Sequence, residues 1–77
     1  MRPADLALAT TTIGDLATGH ARRRREQLGV RQADIAAVIG VTRQCVSQWE
    51  SGIRRPTAAH ALAYAKILHR LGRQSAA

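Results

Sequence analysis

Aromatic side chains are nearly absent from this 77-residue chain: one tryptophan, Trp49, one tyrosine, Tyr64, and no phenylalanine. A core must then be assembled from Ala, Val, Ile and Leu, and a hydrophobic content of 45% is enough for one. That palette favours close-packed helices, because a small sheet relies on β-branched and aromatic runs that are missing here. Cysteine occurs once, at Cys45, which excludes an internal disulfide framework and a cysteine-based zinc site. No apolar stretch approaches the roughly 18 residues of a membrane span. Residues 1–12 hold one arginine and no long apolar centre, a poor match to a signal peptide. Carboxylates are scarce too: five Asp and Glu against twelve Lys and Arg leave a net charge of +7.

The expectation is one small, basic, helical domain in the cytoplasm. A basic excess in a compact domain points first to nucleic acid as partner, and to an anionic membrane a distant second.

Gly29, Gly40, Gly52 and Pro56 divide the second half into short segments of helical period. The first predicted helix covers about 12–28, with Thr12 as its cap and Asp15 in an acidic first turn. Gly14 and Gly19 weaken it by about 1 kcal/mol each relative to Ala. Its start is therefore open, and an earlier helical turn around 5–9 fits the pattern. A second helix is predicted at 32–39, where Ile35, Ala36 and Ile39 share a face. A third follows Thr42, a good N-cap, and runs to 50 or 51. Residues 53–56 form a loop, since the residue before a proline resists the helical region. Thr57 caps a fourth helix that runs to about 71. The chain thus divides into an N-terminal segment 1–11, a domain 12–71 and a frayed tail 72–77. The fold class is all-α: a small bundle of four helices, or five if the N-terminal turn is one.

The third helix carries the chemistry. At about 100° per residue, Arg43, Gln44, Ser47 and Gln48 cluster within an arc of about 140°, with Cys45, Val46 and Trp49 opposite. Long donors and acceptors with no carboxylate among them suit the floor of a DNA major groove. Arginine donates twice to guanine O6 and N7, and glutamine pairs with adenine N6 and N7. A plain solvated face has the same composition, so the surroundings must decide. Two short helices joined by Gly40, Val41 and Thr42 make a helix-turn-helix. The glycine supplies the positive φ that a sharp reversal often needs.

From Leu28 to Leu68 the sequence resembles the phage repressor/Cro-type helix-turn-helix proteins, the XRE family. The residues that carry the likeness are Gln32 opening the second helix, Ala36, Gly40 in the turn, Thr42 as cap and Val46 in the core. Glu50 and Gly52 then close the third helix, Pro56 precedes the fourth, and Leu62, Ala65 and Leu68 follow at the family's core spacing. Upstream, Arg25 stands where many members carry an arginine that pairs with the glutamate matching Glu50. The resemblance implies a lambda-repressor-like bundle that binds double-stranded DNA. It implies base contacts from Arg43, Gln44 and Gln48, with Ser47 as a lesser one. Gln32 would bond a phosphate, Arg54 and Arg55 would lie along the DNA backbone, and Arg25 would form an internal ion pair with Glu50.

Two departures from the family pattern stand out. Arg31 occupies the cap of the second helix, where the family usually has Ser, Thr or Asn. It sets a cation at a positive helix end, unfavourable by about 0.3–1 kcal/mol. Either a phosphate contact in the complex offsets that cost, or Arg31 is a tolerated poor cap. Second, Arg22 to Arg25 are consecutive and point to four different sides, so they cannot form one patch. Arg25 is read as the internal partner and the other three as solvated. Cys45 reads as a small core residue. His20, His60 and His69 are too scattered for a metal motif. No Ser/His/Asp arrangement or Gly-rich phosphate loop stands out, so no enzyme, metal or cofactor is expected.

The fourth helix bears two apolar stripes: Ala58, Ala61, Leu62, Ala65 and Leu68, and, roughly 130° away, Tyr64, Ile67 and Leu71. The second stripe needs a cover. The N-terminal segment with Leu6, Leu8, Ile13 and Leu16 could fold over it, or a second copy could supply a twofold interface. A homodimer on a palindromic operator is favoured, with Tyr64, Ile67 and Leu71 as interface candidates. The leading function is a transcriptional regulator, repressor- or Cro-like, in a bacterial cytoplasm on the nucleoid or encoded by a phage. The alternatives are an antitoxin that binds a toxin and represses its own operon, and a non-specific nucleic-acid binder.

Overall fold

The chain enters a helix almost at once. In the computed structural model, which describes residues 1–75, Pro3 opens α1 (Pro3–Thr18) at a position where its missing N–H is not needed. Asp5 Oδ2 accepts the Arg2 N–H at 3.3 Å and puts a carboxylate in the first turn. The threonine run does not interrupt the helix. Thr10 and Thr12 donate their hydroxyls back to the Leu6 and Leu8 carbonyls, at 2.9 and 2.8 Å. Thr12 is thus a buried mid-helix residue rather than a cap. The boundary expected at 11/12 falls inside α1, so the N-terminal segment is part of the folded unit.

The single helix expected at 12–28 is two helices. Gly19 adopts φ 88, a left-handed conformation that ends α1, and α2 (His20–Gln27) starts at the next residue. The next two elements, α3 (Gln32–Ile39) and α4 (Arg43–Glu50), lie where periodicity and caps place them. Between them Gly40, also at φ 88, turns the backbone, and the Val41 N–H returns to the Ala36 carbonyl at 3.0 Å. Thr42 Oγ1 accepts the Cys45 N–H at 3.1 Å and caps α4. Thr57 Oγ1 does the same for the His60 N–H at 3.1 Å, opening α5 (Ala58–Ser75). Residues 72–75 are helical rather than a frayed tail, and Ala76 and Ala77 lie outside the described residues. Among the described residues there are five helices and no strand.

The core gathers Leu16, Ile35, Val46, Trp49, Tyr64 and Leu68. Alanines 9, 21, 36 and 61 are buried as well, and their small side chains let the helices approach closely. The most extensive helix–helix contact is α1 along α5. Of the N-terminal apolar residues, Leu16 is fully buried, Leu8 and Ile13 are half-buried, and Leu6 remains exposed. This cover corrects one residue of the expected dimer stripe. Tyr64 is 0% exposed and is a core residue. Ile67 packs partly against the core, and Leu71 is half-buried.

Candidate nucleic-acid interface

Helix α4 has a divided cross-section. Val46, Trp49 and Glu50 are buried, Cys45 packs partly against the core, and Arg43 and Gln44 are exposed. Ser47 and Gln48 are half-buried at the edge of that exposed face. The loop that follows is tied back to the helix, with the Arg54 N–H donating to the Gln48 carbonyl at 3.2 Å. The side chains of Arg54 and Arg55 stay in solvent beside it.

The back of α4 is anchored by a carboxylate. Arg25 on α2 donates from Nε to Glu50 Oε2 at 2.7 Å and from an Nη to Oε1 at 2.9 Å. Gln32 Nε2 on α3 donates to Oε1 at 2.9 Å, and the Tyr64 hydroxyl on α5 donates to Oε2 at 2.7 Å. Each oxygen therefore accepts two hydrogen bonds, which fills the acceptor capacity of an ionised carboxylate. Arg25 uses its remaining Nη on the Val30 carbonyl at 2.8 Å. Burial by itself raises the Glu50 pKa, but the hydrogen bonds from Arg25, Gln32 and Tyr64 together outweigh it and hold the carboxyl below its usual range. The hydrogen bond to Glu50 raises the Arg25 pKa further, and burial, then Glu50, push the Tyr64 phenol up. Both partners stay protonated. Glu50 ties α2, α3 and α5 to α4, and so sets the angle at which the exposed face is offered.

Beside that anchor lies a cationic cleft of about 380 Å³, lined by Arg22, Arg25, Arg31, Gln32, Ala33 and Arg43. Arg43 reaches across the motif to Gln32 Oε1 at 3.4 Å. The Gln32 amide orientation follows from its neighbours: the nitrogen faces Glu50, so the oxygen faces Arg43. Arg31 lacks a capping oxygen, and Asp34 compensates by accepting the Arg31 backbone N–H at 3.1 Å. The guanidinium closes on the same carboxylate at 3.1 and 3.2 Å. This exposed pair raises the Arg31 pKa and lowers that of Asp34 through their hydrogen bonds. The cation at the helix start is thus answered within its own turn, an arrangement the sequence reading did not consider.

Arg22 is a candidate that the sequence does not single out. It is solvent-exposed, as expected, and it also lines the cleft together with Arg25, three residues on. Its nearest carboxylate, Glu26, is 3.6 Å away and both side chains are more than half exposed, a weak tether. Helical spacing of three places Arg22 and Arg25 on one side, but which side faces the motif depends on how α2 docks. Arg24 leaves in another direction and lies against Gly72 of α5. Among the described residues no three His, Cys, Asp or Glu come together to hold a metal, and no helix is long and apolar enough to cross a membrane.

Comparison with known proteins places this geometry. A helix-turn-helix family model matches residues 22–70, which span α2 to α5 and most of the chain. No curated protein and no solved structure gives a significant match. The matched stretch contains the α3–α4 motif, the Glu50 anchor and the cationic cleft, and on that match the chain belongs to the helix-turn-helix family of Cro/repressor (XRE) type, a family of DNA-binding regulators.

Proposed function

We propose that this protein is a sequence-specific transcriptional regulator that reads the major groove of double-stranded DNA with α4, as a homodimer on a palindromic operator. The observation that carries the reading is the division of α4: Arg43 and Gln44 face solvent while Val46, Trp49 and Glu50 are held in the core. Arg43 reads guanine and Gln44 adenine, each worth roughly 1–3 kcal/mol of discrimination when bidentate. Ser47 and Gln48 contribute from the edge of the same face. Arg31, Gln32, Arg54 and Arg55, joined by Arg22, take the phosphates. Gln32 keeps one amide hydrogen for this purpose, because only one is engaged by Glu50. Phosphate contacts supply most of the affinity, which falls steeply with salt.

Size supports pairing. The Cα envelope measures 31 × 29 × 23 Å. Successive major grooves on one face of the duplex are roughly 34 Å apart. Two copies seated on such half-sites have their surfaces close to touching once side chains are added.

Selection of bound duplexes from a random pool tests the proposal. The expected result is a palindromic consensus with half-site centres about one helical turn apart. Equal affinity for selected and scrambled duplexes, together with no effect of Gln44→Ala, would leave only a charge-driven binder and sink the reading.

A further inference from the structure

We propose that the groove between α3 and α5 is a docking site for an acidic amphipathic helix of a partner protein. The groove has a volume of about 550 Å³, within the range of built binding sites. Its walls are aliphatic: Val30, Ile35 and Val38 on one side, Ile67 and Leu71 on the other. Ile35 is fully buried, whereas Val38, one turn on, is 72% exposed. Two helices that leave such a trough between them receive the ridge of a third, whose apolar residues recur at i, i+3 or i+4, and i+7. A concave trough of this kind suits a ridge better than it suits a bilayer. Within the chain the obvious candidate is already engaged, because α1 lies along α5 where Tyr64, Ala65 and Leu68 face Leu8 and Thr12.

Charge identifies the occupant. Lys66 and Arg70, one turn apart on α5, stand at the rim of the groove. The chain has no carboxylate after Glu50. Among the described residues Asp34 is the one acid on the rim, and it is held by Arg31. Flanking carboxylates are therefore what an incoming helix must bring. A second copy fits poorly. A twofold contact sets a patch against itself, so the net positive charge of Lys66 and Arg70, answered by Asp34 alone, would be doubled across the contact as its surroundings were desolvated. The groove shares no lining residue with the cationic cleft beside α4, so partner and duplex have separate seats.

The test is a display selection on the folded chain, from a library of helical peptides with a fixed leucine stripe and flanking positions randomised among Glu, Gln and Lys. Enriched peptides are expected to carry Glu on the flanks. They should weaken by about tenfold or more when those positions are reversed to Lys. Val38→Glu should abolish binding without altering the fold or duplex affinity, because Val38 is exposed and does not line the cleft. The double variant Lys66→Glu with Arg70→Glu should switch preference to Lys-flanked peptides. Recovery of no binders, enrichment of neutral or basic flanks, or binders indifferent to Val38→Glu would overturn the proposal. Sedimentation of the wild type and Val38→Glu covers the remaining occupant: a dimer that the substitution dissociates assigns the groove to self-association and overturns it equally. Failure of duplex selection would remove the DNA reading and leave this result standing.

Discussion

A carboxylate at 6% exposure is sustained in a core only when every lone pair is answered, and Glu50 has four donors from three other helices. Removing one partner leaves charge unpaired, so Arg25→Met should destabilise the fold by about 3–5 kcal/mol. Thermal melts measure this, and an unchanged melting temperature would deny the pair its role. Acid titration gives a second readout. The Glu50 pKa is lower in the folded state than its ordinary value of 4.5. The unfolded chain therefore takes up the proton first. The stabilisation is complete above about 4.5 and is lost as pH falls from there through the folded value. Melting temperature should drop on acidification in that window, and Glu50→Gln should flatten the drop while lowering stability at neutral pH. Asp34 is depressed in the same direction but is solvent-exposed and adds little. Family resemblance singles out Arg25 and Glu50, but not the convergence of Gln32 and Tyr64 on the same carboxylate. A helical wheel shows that α5 has two apolar stripes. It does not show that Tyr64 faces inward, toward Glu50, once α1 lies over α5.

Two glycines of similar appearance in the sequence have opposite effects on their helices. Gly14 sits inside α1 with nothing within 4 Å of where a Cβ would stand. Gly14→Ala should stabilise by about 0.5–1 kcal/mol, the helix-propensity difference. Gly19, at φ 88, holds the left-handed corner between α1 and α2. Gly19→Ala should destabilise by about 1–2 kcal/mol, because an L side chain is strained there. Paired chemical denaturation of the two variants checks both signs. Linear reading treated the two glycines alike and drew one helix through both. It also took the threonine run as a start, since these residues favour caps and turns. Burial of Thr12 and hydroxyl bonds back to the preceding turn reversed that preference. By contrast α3 and α4 were legible to within a residue, because Gly40 and Thr42 are local signals whose effect does not wait for packing.

At the scale of the molecule the proposed function assigns separable contributions to the basic excess and to the α4 face. Arg55→Ala should weaken affinity for every duplex alike and reduce the slope of log affinity against log salt by about one. Gln44→Ala should instead relax preference at one base position and leave the slope nearly unchanged. Fluorescence anisotropy at several salt concentrations, on selected and mismatched duplexes, distinguishes the two. A common pattern for both variants would mean that the exposed face of α4 is not reading bases.

Helix class, the turn at Gly40, the caps at Thr42 and Thr57 and the scarcity of acid are properties of short stretches or of composition, so one dimension suffices to read them. Three other features depend on how distant segments dock: α1 covering Tyr64, Arg22 joining the cleft, and the trough left open between α3 and α5. Each is the outcome of competition among several apolar or charged faces for a limited number of neighbours. That competition is settled by packing across the whole chain, where the helix that covers one stripe necessarily leaves another bare.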